Sequence, residues 1–556
     1  MRITRKFTAI ASLLLATSMA FTACSPQGTN QPDTTTGETT QSVENTVEQT
    51  LIWNIGADPK TLDPGLNSAV DGGHVINNTF EGLMRDKGGK LDYAIAESHE
   101  VSEDGLVYTF HIKEDAKWSD GKPVTAADFE FAWKRVADPA TASEYSFIME
   151  SGNIKNASKI IAGEMSKDEL GVKALDEKTL VVTLEQPTDF FLSLTAFATY
   201  MPVRSDMVDN EGAWAKDPAK AVSNGPFKLT EYKMGDQLVL VKNEEYWNAD
   251  SIKLEKIVGK MIVDASTHFT AYNANELQII SEPPSEEIPR LIAEDPTFYS
   301  VPQIGTYFYV LNLNNKLYQD PQVRQALSLA IDRKQIVEKV VRGGQEPTTG
   351  FMPPSIKDNE GKDFKEVGGD FGPVEGDTTK AKELLAAAGY PNGEGFPEIE
   401  IMYNTGSGHQ IIAEAVQEMW KKNLNINVKL TNQEWAVFQE TRNNIAYKDI
   451  ARHGWIGDYL DPQTMLEIFE TGSPQNNAGY SNPDFDAHMK ASRTTIGKER
   501  MDHLYAAYDI LMKDLPMIPI YHYVNNIMVK DSVQGWEFNP LGKFWFGDTQ
   551  IVEVEE

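Results

Sequence analysis

Hydrophobic residues along the chain recur with two different periods, and each period predicts one kind of element. Val107–Ile112 places apolar side chains at alternate positions, as a half-buried β-strand does, and residues 51–56 and 180–184 predict two further strands. Asp320-Pro321 offers an acidic N-cap and a first-turn proline, which begin helices. The helix predicted there runs to a stop signal at Arg342-Gly343, and its apolar face comprises Val323, Ala326, Leu327, Ala330 and Ile331.

Between residues 399 and 430 the two periods follow one another. Residues 399–403 predict a strand, and residues 404–408 form a turn whose two glycines lack the following lysine of a phosphate loop. Apolar residues then recur at helical spacing from Ile411 to Trp420, and alternation from Leu424 to Leu430 predicts a second strand. This βαβ unit predicts parallel strands, and with the earlier strand pairs it indicates an α/β multidomain body.

The N-terminus has the pattern of an export signal. Arg2, Arg5 and Lys6 precede a short apolar stretch at 7–20, so residues 1–23 predict a secretory signal peptide. The tetrapeptide 21–24 ends in Cys24 and resembles a bacterial lipobox, in which the cysteine is lipidated. Residues 24–50 are rich in Thr, Ser and Gln, and we expect a disordered linker after the lipidated cysteine because the segment can bury little surface.

Composition excludes several classes of protein. The mean hydropathy of −0.40 excludes a multi-span membrane protein. With 51 basic and 82 acidic residues the net charge is −31, which disfavours nucleic-acid binding. One cysteine in 556 residues allows neither an intramolecular disulfide nor a cysteine-based zinc site.

Sequence motifs for catalysis and metal binding are absent from the chain. It has no Walker phosphate loop, no His-Glu-x-x-His, no EF-hand series and no Gly-x-Ser-x-Gly elbow, and its nine histidines show no paired spacing. We therefore expect a binding protein with no cofactor, no metal and no catalytic residues, rather than an enzyme.

Four segments resemble the extracytoplasmic oligopeptide-binding proteins of ABC transporters, the peptide- and nickel-type solute receptors of family 5. They include Trp118-Ser119-Asp120-Gly121, Asn224-Gly225-Pro226-Phe227 and the Gly-Trp-x-x-Asp-Tyr pattern at 454–459, and the segments lie at 97–129, 223–247, 306–333 and 432–462. The resemblance runs in order from about residue 51 to residue 540.

The resemblance implies a two-lobed fold like that of periplasmic binding proteins, of type II, in its large three-domain form. A base lobe would comprise 51–80, 205–303 and 527–556, an inserted domain 81–204, and an opposing lobe 304–526. The crossovers near 303 and 526 would form a hinge that closes the lobes on the ligand.

The same resemblance implies that a peptide lies extended between two backbone segments, Ser68-Ala69-Val70 and Gly454-Trp455-Ile456. Asp458 would receive the peptide's α-ammonium; the alternative is a turn aspartate. Side-chain pockets would be walled by Trp455 and Trp435 and contacted by Tyr145, and the alternatives are core or surface aromatics. The candidates for binding the terminal carboxylate are Arg452, Arg442 and His409, with Asn404 as a polar neighbour, or else these are structural residues.

The implied function is a lipid-anchored receptor on the extracytoplasmic face of the cell membrane that delivers oligopeptides to ABC permease subunits. A monomer that binds no nucleic acid is expected. Alternatives are the same scaffold binding a nickel chelate, an opine or an oligosaccharide, a pheromone receptor for signalling, or a surface hydrolase or chaperone.

The anchor gives a first test. In the native host, mature protein should begin at a lipidated Cys24, and Cys24→Ala should leave the precursor unprocessed by the lipoprotein route or release the protein from the membrane. Mass spectrometry of the mature N-terminus and fractionation of the cells measure both results. Mature wild-type protein with an unmodified Cys24 would contradict the assignment.

Overall fold

The structure, a computed structural model, describes residues 47–209, 212–405 and 408–554, with only the backbone at positions 435 and 436. The predicted signal peptide, Cys24 and the linker up to residue 46 lie outside the described residues. The end of the linker differs from the prediction. The side-chain amide of Gln49 donates to the Ile551 carbonyl at 2.8 Å and accepts from the Ile551 N–H at 3.0 Å, and the first strand starts at Thr50. Gln49 and Thr50 therefore belong to the folded body.

The strands of the described residues are numbered in chain order. They are β1 Thr50–Asn54, β2 Met84–Lys87, β3 Lys90–Tyr93, β4 Ala96–Val101, β5 Val107–Ile112, β6 Val172–Ala174, β7 Thr179–Thr183, β8 Phe227–Lys233, β9 Gln237–Lys242, β10 Lys256–Lys260, β11 Ile279–Ser281, β12 Phe298–Leu311, β13 Glu346–Pro347, β14 Ile399–Asn404, β15 Val428–Gln433, β16 Ile450–Ile456, β17 Met517–Val529, β18 Val533–Gln534, β19 Glu537–Phe538, β20 Phe544–Trp545 and β21 Gln550–Ile551.

The α-helices are numbered in the same way. They are α1 Val70–Thr79, α2 Ala126–Ala137, α3 Phe147–Ser151, α4 Ala157–Ile161, α5 Phe191–Leu194, α6 Ala265–Asn273, α7 Ile288–Glu294, α8 Pro321–Leu329, α9 Arg333–Gln335, α10 Phe364–Gly368, α11 Thr378–Ala387, α12 His409–Leu424, α13 Trp435–Asn443, α14 Gln463–Leu466, α15 Pro483–Ser492 and α16 Gly497–Asp514. A π-helical segment, Ile336–Val341, follows α9, and short 3₁₀ turns occur at Pro139–Thr141, Lys167–Glu169, Ala198–Tyr200, Ala213–Lys216, Ala249–Ser251, Lys316–Gln319, Pro391–Gly393 and Glu467–Phe469.

One mixed sheet organises the described residues. Its strand order is β15-β14-β16-β12-β17-β11-β1-β10-β9-β8, with β13 paired to β17. The predicted inserted domain contains a separate antiparallel sheet, β4-β5-β7-β6. The strands predicted at 51–56, 107–112 and 180–184 are confirmed as β1, β5 and β7.

The predicted βαβ unit is confirmed, with one correction at its second strand. β14 and β15 pair in parallel, and α12 connects them. Leu424 is the last residue of α12 rather than part of the alternating strand, and β15 starts only at Val428. Asn425 ends the helix in the left-handed region at φ 57°, which asparagine tolerates better than most residues. Residues 406 and 407 of the predicted turn lie outside the described residues.

The single helix predicted from residue 320 to residue 342 is wrong, because the structure breaks it. Asp320 caps α8 as expected, accepting from the Gln322 N–H, but α8 ends at Leu329. Asp332 is extended and its side chain accepts from the Gln335 N–H, so it caps α9 instead of continuing α8. A short polar side chain that bonds nearby backbone competes with the helix in this way. The predicted stop is present, since Arg342 is left-handed.

Two long strands, β12 and β17, join the halves of the main sheet. The end of β17, Ile527–Val529, pairs with β11, while the second half of β12, Gly305–Leu311, pairs with β16. The register between β12 and β17 shifts between Pro302 and Thr306. This irregularity lies beside the crossover near residue 303, whose role as a hinge stays a prediction.

Alternation along β12 places a hydrophobic core on each face of the sheet. Phe308 and Val310 pack into one cluster, and Tyr307 and Tyr309 pack into the other. A third, larger cluster runs continuously through the predicted base lobe and inserted domain. The apolar core therefore does not separate those two domains, and their boundaries at 80/81 and 204/205 stay predictions.

A buried ion pair joins the predicted base lobe to the inserted domain. The fully buried Asp63 accepts two hydrogen bonds from Arg135 of α2, at 3.0 and 2.8 Å, and one from the Trp214 indole at 3.0 Å. Its first carboxylate oxygen also accepts from the Gly65 N–H at 3.0 Å, and its carbonyl accepts from the Asn67 N–H. Asp63 thus fixes the loop that leads into α1.

Asp63→Asn should lower the free energy of unfolding by about 3–5 kcal/mol, because it leaves the Arg135 charge buried without its partner. Guanidinium unfolding of the purified protein measures the change. The matched control is Asp502→Asn, which breaks an exposed pair with Lys498 and should cost at most about 1 kcal/mol. Equal losses in the two variants would contradict the structural role given to Asp63.

Candidate functional site

A cavity of about 400 Å³ lies between the loop before α1, the predicted inserted domain and the loop after β16. Residues from all three predicted domains line it. Six of the predicted site residues are among them: Ser68, Ala69, Val70, Tyr145, Ile456 and Asp458. The structure therefore brings together residues that are distant in sequence and were predicted from separate segments.

The wall formed by residues 68–70 combines extended and helical backbone. Ala69 is extended (φ −122°, ψ 155°) and is the N-cap of α1, and Val70 is the first helical residue. The prediction of a continuous extended segment therefore holds only up to Ala69. The Ser68 hydroxyl donates to the Glu144 carboxylate, which attaches this wall to the inserted domain one residue before Tyr145.

Asp458 is a half-buried carboxylate that has no cationic partner among the described residues. The Tyr145 hydroxyl donates to it, and its own backbone N–H donates to the Thr464 hydroxyl at 3.0 Å. Among the described residues, no lysine or arginine forms an ion pair with it. Burial raises the pKa of Asp458 from 3.8 to about 6, and the Tyr145 hydrogen bond offsets this only in part. Chemically, the site lacks one positive charge.

A second buried ion pair, in which one carboxylate binds both terminal nitrogens of an arginine, holds the loop that carries Asp458. Asp461 accepts from both terminal nitrogens of Arg500 of α16, at 2.8 and 2.7 Å. Tyr459 stacks on Phe190 of the predicted inserted domain, with ring centroids 4.5 Å apart. These contacts place Asp458 opposite Tyr145 without help from a ligand.

Strand β16 has an open edge next to this loop. On one side, residues 450–456 pair with β12 throughout. On the other side, β14 pairs only with Ile450 and Ala451. Within the described residues, no strand covers that edge from Arg452 to Ile456, the segment that contains the predicted Gly454-Trp455-Ile456. Unpaired backbone groups of this kind can accept an added strand.

The predicted basic residues form a separate cluster outside the cavity. Arg452 lies 5.0 Å from the Tyr307 ring centre and donates to the Tyr523 hydroxyl at 3.3 Å, and its Nε has no partner among the described residues. Burial and the charge of Arg452 lower the pKa of His409 to about 3 and that of Arg442 to about 10.

Among the described residues, no carboxylate forms an ion pair with Arg442 or Arg452. Burial lowers the pKa of Arg452, but Tyr523, Tyr307 and Tyr521 outweigh this effect and raise it. The Arg442 guanidinium donates to the neutral Asn443 side chain at 3.3 and 3.1 Å. Within the described residues, the two arginines of this cluster therefore lack an acidic partner, as Asp458 lacks a basic one.

The other predicted residues have different surroundings. The Trp455 indole donates to the Thr464 carbonyl at 2.7 Å, and the ring packs against an apolar cluster, so it supports the Asp458 loop. Gly454 leaves no room for a side chain, since a Cβ would lie 2.2 Å from the Tyr523 hydroxyl oxygen. Asn404 ends β14, and its side-chain oxygen is buried without a partner in the described residues. The Trp435 side chain lies outside what the structure describes.

Sequence reasoning missed four charged residues that line the cavity: Glu81, Arg85, Asp86 and Lys543. Arg85 forms an ion pair with Glu81, which also accepts from the Tyr246 hydroxyl and the Trp247 indole at 2.7 Å. A local signal existed for Glu81 only, because the Tyr246-Trp247 pair belongs to a segment that resembles the family.

Within the described ranges, no group of three or more His, Cys, Asp or Glu side chains is placed to hold a metal ion. Nor is any described helix long and apolar enough to cross a membrane.

Comparison with known proteins agrees with the sequence resemblance. Residues 90–477 match the model for bacterial extracellular solute-binding proteins, family 5 middle. The chain is 36% identical to the oligopeptide-binding protein OppA of Bacillus subtilis (strain 168), over 98% of this chain and 99% of that protein.

Two solved structures show the same architecture. The unliganded open form of the periplasmic murein tripeptide-binding protein MppA gives a TM-score of 0.79 at 33% identity, covering 91% of this chain and 98% of that chain. Haemophilus influenzae OppA in complex with RPPGFSPFR gives 0.72 at 33% identity, with 91% and 99% covered. These likenesses confirm the predicted α/β fold of the two-lobed type.

The isolated charge of Asp458 predicts an unusual effect on stability. Because its pKa is about 6 in the folded protein and near 3.8 otherwise, the ionised form destabilises the fold above pH 6, and the penalty disappears near pH 4. Asp458→Asn should therefore raise the melting temperature of the ligand-free protein at pH 8, with no gain near pH 4. Thermal denaturation from pH 4 to pH 8 measures this.

Asp461→Asn is the matched control and should destabilise at pH 8, since it breaks the fork with Arg500. If Asp458→Asn destabilised the protein as much as this control does, Asp458 would have to possess an internal counter-charge.

Proposed function

The chain belongs to the bacterial extracellular solute-binding proteins of family 5, and we propose that it binds oligopeptides between two lobes and delivers them intact to an ABC importer. The observation that carries the proposal is the isolated carboxylate of Asp458 in the cavity. A peptide with a free N-terminus supplies the missing positive charge. A neutral oligosaccharide does not.

The peptide's α-ammonium would lie against Asp458. The Tyr145 hydrogen bond and the Asp461–Arg500 fork hold the carboxylate in place before the ligand arrives. Such preorganisation reduces the free energy lost to ordering when the ligand binds. Contact with a charged donor also fixes where the peptide starts.

The peptide backbone would pair with the open edge of β16 at residues 452–456. Main-chain hydrogen bonds supply affinity that is independent of side-chain identity. Extended Ala69 on the other side of the cavity would offer a second, shorter backbone contact. Trp455 and Trp435 stay candidates for walls of the side-chain pockets.

The terminal carboxylate would meet the basic cluster. Arg442 is buried and Arg452 is half-buried, and neither has an acidic partner among the described residues. Neutral His409 lies beside them with its Nδ1 3.3 Å from the Tyr307 hydroxyl. A carboxylate bound there removes the repulsion between the two guanidinium groups. Asn404, with its unsatisfied side-chain oxygen, stays a possible neighbour.

Delivery requires a cycle of closing and opening. The register shift between β12 and β17 near residue 303 would serve as the hinge, with 51–80, 205–303 and 527–556 on one side, 304–526 on the other, and 81–204 as the inserted domain. Lipidation of Cys24 would keep a monomeric receptor on the extracytoplasmic face of the membrane, beside its permease.

The test combines a protein change with a ligand change. Asp458→Asn leaves the α-ammonium without its counter-charge, and a lost buried partner costs about 2–5 kcal/mol, or roughly 30-fold to several thousand-fold in affinity. N-acetylation of the peptide should cost wild-type protein a similar amount. The two losses should not add, because both break the same pair. Calorimetry of the four combinations measures the coupling.

A C-terminally amidated peptide is the control, and its loss should be the same in wild type and Asp458→Asn. Equal binding of acetylated and free peptides by the wild type would contradict the α-ammonium site. Recovery of shortened peptide after incubation would instead indicate an enzyme.

A further inference from the structure

We propose that Lys543 is a second recognition point in the same cavity and receives a side-chain carboxylate from one of the first residues of the bound peptide. The inference rests on the proposed function and adds a substrate class to it: peptides with Asp or Glu near the N-terminus. Neither Lys543 nor any of its sequence neighbours was predicted as a site residue.

The position of Lys543 is built into the fold. It lies between β19 and β20, is half-buried, and lines the cavity together with Asp458. Its backbone N–H donates to the Asn539 side chain at 2.8 Å. Its side chain lies against Gly73 of α1, where a Cβ would come within 2.8 Å of the lysine Cε and 3.0 Å of its Nζ. The absent side chain at position 73 makes room for the ammonium.

The ammonium of Lys543 has no hydrogen bond or ion pair within the described part of the chain. Burial lowers its pKa to about 8, and Asp71 is the carboxylate that acts on it, from beyond ion-pair distance. Asp458 and Asp86 line the same cavity, but within the described residues neither forms an ion pair with Lys543. In a chain with 82 acidic and 51 basic residues, such a lysine is conspicuous.

Arg85 lines the same cavity and, unlike Lys543, has partners for its charge within the protein. It pairs with Glu81 and stacks on Trp545, with its guanidinium carbon 3.2 Å from the ring centre. In the part of the chain that the structure describes, Lys543 has neither an ion-pair partner nor an aromatic ring beneath its ammonium. A ligand carboxylate would supply the missing charge, and hydrogen bonds between charged groups are strong when little water competes.

The positions of the proposed sites for the two peptide termini indicate which part of the peptide supplies the carboxylate to Lys543. Arg442 and Arg452, the proposed partners of the peptide's C-terminus, do not line this cavity, whereas Asp458, the proposed partner of its N-terminus, does. The group that reaches Lys543 must therefore come from the first residues of the peptide. A carboxylate side chain at one of positions one to three meets that requirement.

The experiment uses six alanine pentapeptides with a free N-terminus, carrying Glu or its uncharged isostere Gln at position one, two or three. At one position the Glu peptide should bind wild-type protein roughly 10- to 100-fold more tightly than the Gln peptide. Lys543→Met should abolish this preference while leaving the affinity for the Gln peptide within about threefold. Lys513→Met, an exposed lysine of α16, is the matched control and should keep the preference.

Calorimetry at pH 7 gives the affinities, and thermal melting checks that each variant folds. If Lys543→Met does not fold, Lys543→Gln takes its place, and the wild-type comparison needs no variant. Equal binding of Glu and Gln peptides at all three positions, or a preference that survives in the variant, overturns the inference while the proposed function stands. Failure of all six peptides to bind wild type overturns both.

Discussion

Burying a charged group costs several kcal/mol unless an opposite charge meets it, and this constraint sorts the ionisable side chains around the cleft. Asp63 and Asp461 are buried and each is met by both terminal nitrogens of one arginine. Asp458, three residues from Asp461, is met by a tyrosine hydroxyl and by no cation of the described residues. The carboxylates of Asp63 and Asp461 therefore stabilise the fold, whereas that of Asp458 stays available to a ligand.

The two buried ion pairs hold the unpaired Asp458 carboxylate in a position where a ligand can reach it. Asp63 with Arg135 fixes the loop before α1, and Asp461 with Arg500 fixes the loop after β16, so opposite walls of the cavity are held by buried forks. A carboxylate on a mobile loop would turn toward water or a lysine and lose its raised pKa. An ionised Asp458 without an ion-pair partner lowers the free energy of unfolding, and binding of a positively charged ligand group can restore that stability.

How far the sequence could predict the molecule depended on the range of the interactions involved. Alternation in β5 and helical spacing in α12 are local patterns, and both elements were confirmed. The prediction of one continuous helix after Asp320 was wrong because the Asp332 side chain accepts a hydrogen bond from a backbone N–H and starts a new helix. The spacing of apolar residues does not reveal such a bond. Asp458 was found through a family pattern. Lys543 had no local pattern, because its lack of a partner is a property of the folded neighbourhood.

The net charge of −31 raises the question of whether the whole protein or local side chains recognise the charges of a ligand. At physiological salt, exposed charges are screened beyond about 8 Å, so the acidic surface hardly acts on a peptide inside the cleft. Recognition of ligand charge must then come from contacts with groups that have no ion-pair partner among the described residues: Asp458 for an ammonium, and Lys543 and the Arg442–Arg452 cluster for carboxylates. Since unmet charges of opposite sign lie at separate places, they can orient a peptide as well as hold it, while the open edge of β16 tolerates its sequence.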